Sequence, residues 1–163
     1  ETTVEFPRGF SGFTFEDFET WSYYSNGRFF GLYAKTAHII SGGNGQNKVQ
    51  WTAELPEDGK YDLYYYSFYY EVSSFPRSWE LEKKYPKFKD AAAVDDYNFI
   101  VYHDNEAEKV TRIIANSYQQ YNNPVEVYLG RYTFSKGQAK IELTDETNGL
   151  YVFADAVKWV KKD

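Results

Sequence analysis

Cysteine and methionine are both absent from the 163 residues, and histidine occurs only twice. Without cysteine there are no disulfides, no thiol nucleophiles, no Cys-ligated zinc and no iron–sulfur clusters. The compartment stays open, because a chain this long buries roughly 70% of its unfolded surface and needs no staples even outside the cell. Without methionine the chain has no initiator, so it reads as a mature fragment or an excised domain. No apolar run reaches the ~18–20 residues that cross a bilayer, so no membrane insertion is expected. The opening Glu1-Thr2-Thr3-Val4-Glu5 also lacks the basic and apolar regions of a signal. Basic residues are outnumbered, 18 Lys and Arg against 24 Asp and Glu, for a net charge of -6. A duplex nucleic-acid binder needs the opposite balance to replace phosphate counterions.

Aromatic residues are abundant: 17 Tyr, 13 Phe and 4 Trp make up 21% of a chain whose hydrophobic residues reach only 42%. Tyrosine-rich, polar sequence of this kind suits twisted sheets with wet aromatic faces. The strongest strand signal is 60–70, where Tyr61, Leu63 and Tyr65 alternate with Asp62, Tyr64 and Tyr66. It follows Val49 to Leu55 and the turn Pro56-Glu57-Asp58-Gly59, making a hairpin or corner over 48–70. Further strands are expected over 96–103, 109–115, 125–134, 139–143 and 151–160, the last as one central strand. Segments 12–20 and 32–39 are weaker candidates, and Gly42-Gly43-Asn44-Gly45 reads as an open, flexible loop. One domain with eight to ten such strands predicts an all-β jelly-roll sandwich. Residues 73–94 break the rhythm and read as an insertion with a turn or two of helix near 78–84, a type of segment that is often functional.

The order of segments resembles the golvesin C-terminal-like domain family. The resemblance rests on Val49-Gln50-Trp51-Thr52-Ala53-Glu54-Leu55-Pro56, Gly59 to Tyr64, Tyr97 to His103, Leu129-Gly130-Arg131-Tyr132-Thr133-Phe134 and Asn148 to Trp159. It covers most of 14–160. Two features depart from the family pattern: the length of the 73–94 insertion, and Asp104-Asn105-Glu106-Ala107-Glu108 in place of glycine-rich residues. The family implies a carbohydrate-binding-module-like β-sandwich appended to secreted bacterial proteins, some of them called xanthan lyases. The expected setting is therefore secreted, periplasmic or cell-surface, as a monomeric module of a larger protein, with a polysaccharide or cell-surface glycan as partner.

Sugar rings stack a face of C–H bonds on aromatic rings, while their hydroxyls seek planar polar partners. Two segments offer both. Around Trp21 the candidates are Tyr23, Tyr24, Asn26 and Arg28; in 116–123 they are Tyr118, Gln120 and Tyr121. Both are read as turn-rich loops, and Trp21 and Trp51 as core. Tyr64, Tyr66, Tyr69 and Tyr70 form a third group: Tyr64 and Tyr66 are a stacking platform if their face is open and core if the insertion covers it, with the covered arrangement favoured. Enzyme signatures are weak. Neither His38 nor His103 sits in a metal-ligand pair, and neither a nucleophile elbow nor a phosphate loop occurs. A sugar lyase could use His103 with Tyr102 and Arg112, but His103 reads more simply as a strand-end structural residue. No cofactor is expected beyond a structural calcium, for which Glu16, Asp17 and Asp155 are thin candidates because calcium wants six to eight oxygens. A non-catalytic glycan-binding module is thus the expectation, with a structural or protein-interaction module as the alternative.

Overall fold

The computed structural model describes residues 18–25, 29–31, 35–67, 95–114, 125–149 and 151–163. These contain ten strands: β1 (Ser22–Ser25), β2 (Thr36–Ser41), β3 (Lys48–Leu55), β4 (Gly59–Ser67), β5 (Asp95–His103), β6 (Glu106–Ile114), β7 (Val125–Phe134), β8 (Gly137–Thr144), β9 (Tyr151–Ala154) and β10 (Ala156–Lys162). There is no helix among the described residues. The expected insertion and its helical turn lie outside them, as does the strand candidate over 12–20 except for 18–20, which are not strand.

Three antiparallel sheets form, in the orders β1-β2-β9, β10-β4-β7 and β3-β8-β5-β6. The protein is an all-β sandwich. Strands β3 and β4 are consecutive yet unpaired, so 48–67 is a corner and not a hairpin. The same holds for β7 and β8. Because β3 pairs with β8 and β4 with β7, the two corners lie side by side. The Lys136 amide donates to Asp58 Oδ1 across them at 2.6 Å. A ribbon of paired strands thus bends from one sheet into another, the wrapping that jelly rolls use.

The period-2 pattern accounts for the core. Trp51, Leu55, Tyr61, Leu63, Tyr65, Tyr97, Phe99, Val101, Ile141 and Leu143 all turn inward, with Trp51 at its margin. Tyr65 packs on Phe99, Tyr97 and Trp51 at ring distances of 5.1, 5.9 and 6.3 Å. Its hydroxyl donates to the Phe153 carbonyl, and the Phe153 amide donates to the Tyr97 hydroxyl at 3.1 Å. These bonds matter because, among the described residues, β9 has a strand on one edge only. Two buried tyrosines do there what a neighbouring strand would do.

The expectation of one central strand over 151–160 is corrected by the structure. The run breaks at Asp155, and each half is an edge strand of a different sheet. β9 is also buried on both faces rather than alternating, because Phe18 packs on Tyr151 and Tyr24 and Phe29 pack on Phe153.

Loop 42–47 is not an open, flexible turn. The Asp145 carboxylate accepts the amides of Gly45 (2.7 Å) and Asn47 (3.3 Å) and the Asn47 side-chain amide (2.9 Å), so the loop wraps one buried acid. The departure from the family pattern at 104–105 also resolves. Asp104 and Asn105 have φ of 45° and 64°, the two left-handed residues of a tight β5–β6 hairpin, which Asp and Asn tolerate.

Candidate binding face

The sheet β10-β4-β7 presents an outer grid whose rows follow from its register. Ala156, Tyr66 and Glu126 make one row, then Lys158, Tyr64 and Tyr128, then Val160, Asp62 and Arg131, then Lys162, Lys60 and Thr133. A register shift opposite Leu63/Tyr64 makes this grid possible. Gly130, at φ 152°, absorbs the extra residue, and a side chain there would drive its Cβ to within 2.7 Å of the Tyr132 hydroxyl. Strand parity flips at this bulge, so Tyr128 and Arg131, three apart, share the outer face while Leu129 and Tyr132 share the core.

Four aromatic rings occupy one end of the face. Phe30 stacks on Tyr66 with centroids 4.1 Å apart and planes 24° apart, and Tyr64 meets Tyr128 at 5.4 Å, tilted by 53°. Phe30 and Tyr128 are 45% and 46% exposed, so the face is open at both rings. The Asp155 carboxylate holds Phe30 by accepting its amide at 2.9 Å. Arg112 holds the β7 side, donating to the Tyr128 carbonyl at 2.9 Å and to the Leu129 carbonyl. Consecutive carbonyls of a regular strand point to opposite edges, so one guanidinium reaches both here only because the strand is bulged at this point.

Charged groups are interleaved with the rings. Lys158 lies over Tyr64 and Tyr66 at 4.8 and 5.4 Å and pairs with Glu126 at 2.5 Å. Glu126 also accepts the Tyr66 hydroxyl at 2.8 Å. Hydrogen bonds from Lys158 and Tyr66 hold its carboxyl below the usual range. Asp62 is buried beneath Arg131, which donates from Nε (2.6 Å) and from a second guanidinium nitrogen (3.0 Å). The Arg131 bonds, with help from Lys162 and against the cost of burial, lower the Asp62 carboxyl to about 2. The Tyr128 hydroxyl completes the group with a bond to Asp62 at 3.3 Å.

The residues singled out from sequence fall in several places. Tyr23 and Tyr24 lie on β1 rather than in a loop, and alternation sends them apart. Tyr23 is 68% exposed beside His38, whereas Tyr24 packs inward on Phe29 and Phe153. Asn26, Arg28, Tyr69, Tyr70, Tyr118, Gln120, Tyr121, Glu16 and Asp17 lie outside the described residues. Asp155 sits at the β9–β10 break, and burial raises its carboxyl to about 6. No group of three or more metal-ligating side chains occurs among the described residues. Tyr64 and Tyr66 are half-buried, and the sequence reading passed over Phe30 and Tyr128 altogether. Tyr128 could have been found only by recognising the Gly130 bulge.

The lyase constellation is dispersed. His103 packs on Tyr132 at 4.7 Å with Nε2 3.5 Å from Glu108, beside a cleft of about 570 Å3 between the β5–β6 turn and the β7–β8 corner. Tyr102 donates to Glu142 at 3.0 Å, and Arg112 is spent on backbone carbonyls.

The chain matches the model of the Golvesin C-terminal domain over residues 14–161, nearly its whole length, and belongs to that family. No curated protein matches it.

Proposed function

We propose that this domain is a non-catalytic module that binds polysaccharide on the outer face of β10-β4-β7, within a secreted or cell-surface protein. The observation that carries this is the pair of exposed rings, Phe30 and Tyr128, set beside side chains already fixed by hydrogen bonds. A large apolar ring left in water on an ordered sheet is a surface waiting for a flat apolar partner. The C–H face of a pyranose is such a partner, and the hydroxyls at its rim find Lys158, Glu126 and Arg131 within the same grid. The ordering is settled before binding, so little conformational entropy remains to be lost.

The segments carrying Asn26 and Arg28, and Tyr118, Gln120 and Tyr121, run in sequence into Phe29–Phe30 and into Val125–Glu126 of this face. They are proposed as its flanking contacts, with Tyr23 as a separate exposed ring on β1. Titration calorimetry against a panel of soluble polysaccharides tests the reading. Tyr128→Ala should weaken binding about ten- to a hundredfold, as loss of a stacked ring does. Tyr23→Ala should change it little. Absence of heat with every glycan, the fold being intact, would leave a structural spacer as the function.

A further inference from the structure

The outer face differs in charge from the rest of the molecule. The chain as a whole carries -6. The grid holds Lys60, Lys158, Lys162 and Arg131 against only Asp62 and Glu126. Both carboxylates are committed within the sheet: Glu126 to Tyr66 and Lys158, Asp62 to Arg131, Tyr128 and Lys162, the last at 3.4 Å. Glu126 and Lys158 are about equally exposed, at 42% and 39%, but around Asp62 the cations are the less enclosed partners. Asp62 keeps 5% of its side chain exposed, whereas Arg131 keeps 52% and Lys162 38%. Donors therefore outnumber acceptors at the surface of this patch.

The charge is also ordered in space. Aromatic rings fill the rows of Tyr66 and Tyr64, and cations fill the rows of Arg131 and of Lys60 with Lys162. Alternate residues on a strand are roughly 7 Å apart, so the ring of Tyr128 and the cationic rows are separated by about the reach of one sugar with its exocyclic group. From this arrangement we infer that the face selects acidic polysaccharide, and specifically uronate units, whose ring stacks at Tyr128 while the carboxylate meets Arg131 and Lys162. This rests on the glycan-binding reading given above. General attraction cannot substitute for it, because an acidic protein repels an acidic polymer everywhere except at such a patch.

The test uses polygalacturonate and its fully methyl-esterified form, which share a backbone and differ in charge, with neutral galactomannan as a third ligand. Calorimetry at low salt should show polygalacturonate bound at least about tenfold more tightly than its ester, with the margin shrinking as salt is raised. The double variant Lys60→Gln/Lys162→Gln spares the Asp62–Arg131 pair and should bring the two ligands to within about threefold. Tyr128→Ala should weaken both. Equal binding of the ester and the acid overturns the uronate inference and leaves glycan binding standing. A preference for acid that is undiminished in the double variant overturns it as well, since Lys60 and Lys162 then contribute nothing to the selection. Failure of all three ligands with folded protein overturns the glycan-binding reading itself.

Discussion

Asp155 and Asp62 sit within the reach of one face and respond to acid in opposite directions. Burial raises Asp155 to about 6, above the ordinary 3.8, so its ionised form is a burden on the folded state. That burden is fully present above pH 6 and is relieved as pH falls through 6 towards 4. Asn at this position can still accept the Phe30 amide without a charge. Asp155→Asn should therefore gain about 1–2 kcal/mol at pH 7–8 after allowance for partial exposure, and nothing below about pH 4, by urea denaturation across pH. Asp62 is depressed to about 2, so its contribution holds above 4 and disappears as pH falls from 4 to 2. Stability of the wild type should accordingly rise slightly on mild acidification and then fall. At Gly43 the constraint is steric: a Cβ would lie 2.2 Å from the Asp145 Oδ2. Gly43→Ala should cost about 1–3 kcal/mol by the same denaturation measurement, since the acid it displaces holds the whole loop.

At the level of strands, β9 shows how a sheet edge can be buried without a neighbour. Removing one hydroxyl, in Tyr65→Phe or Tyr97→Phe, deletes a buried hydrogen bond to the Phe153 carbonyl or from its amide. Each should cost about 1–3 kcal/mol, and the double variant should deviate from their sum because both act on one residue. Much of this strand layout is legible in the sequence. Alternation in 60–66 assigns Tyr61, Leu63 and Tyr65 to the core, and that is where they lie. Alternation fails at 125–134 because Gly130 inserts a residue, an event that only the pairing with β4 reveals. It fails at 151–154 for another reason: both faces are covered, so apolar residues run without interruption. The Asp104-Asn105 turn is locally encoded, because Asp and Asn reach the left-handed φ that glycines would otherwise supply. The candidate site was the least legible part, since Phe30 and Tyr128 are 98 residues apart and reach one face only by packing on Tyr66 and Tyr64 of β4.

In the whole molecule, the residues that build the aromatic face come from β4, β7, β10 and the Phe29–Phe30 segment, so no single stretch of sequence carries it. The sandwich itself follows from local pattern: short strands, regular turns and one core's worth of apolar residues. The partition into three sheets does not, because it depends on which edges are capped by tyrosine and arginine instead of by strands. One consequence concerns time. Residues 151–162 pair with β2 through Ala154 and His38, and with β4 through Ala156 and Tyr66. Those partners lie roughly a hundred residues earlier in the chain, and non-local closure of this kind slows folding to milliseconds or longer. On the ribosome, β1 and β2 on one side and β4 and β7 on the other must wait, incomplete, until the final dozen of these residues have emerged. A nascent chain stalled just before Tyr151 should stay sensitive to protease throughout, and one released beyond Lys162 should become resistant in a single step.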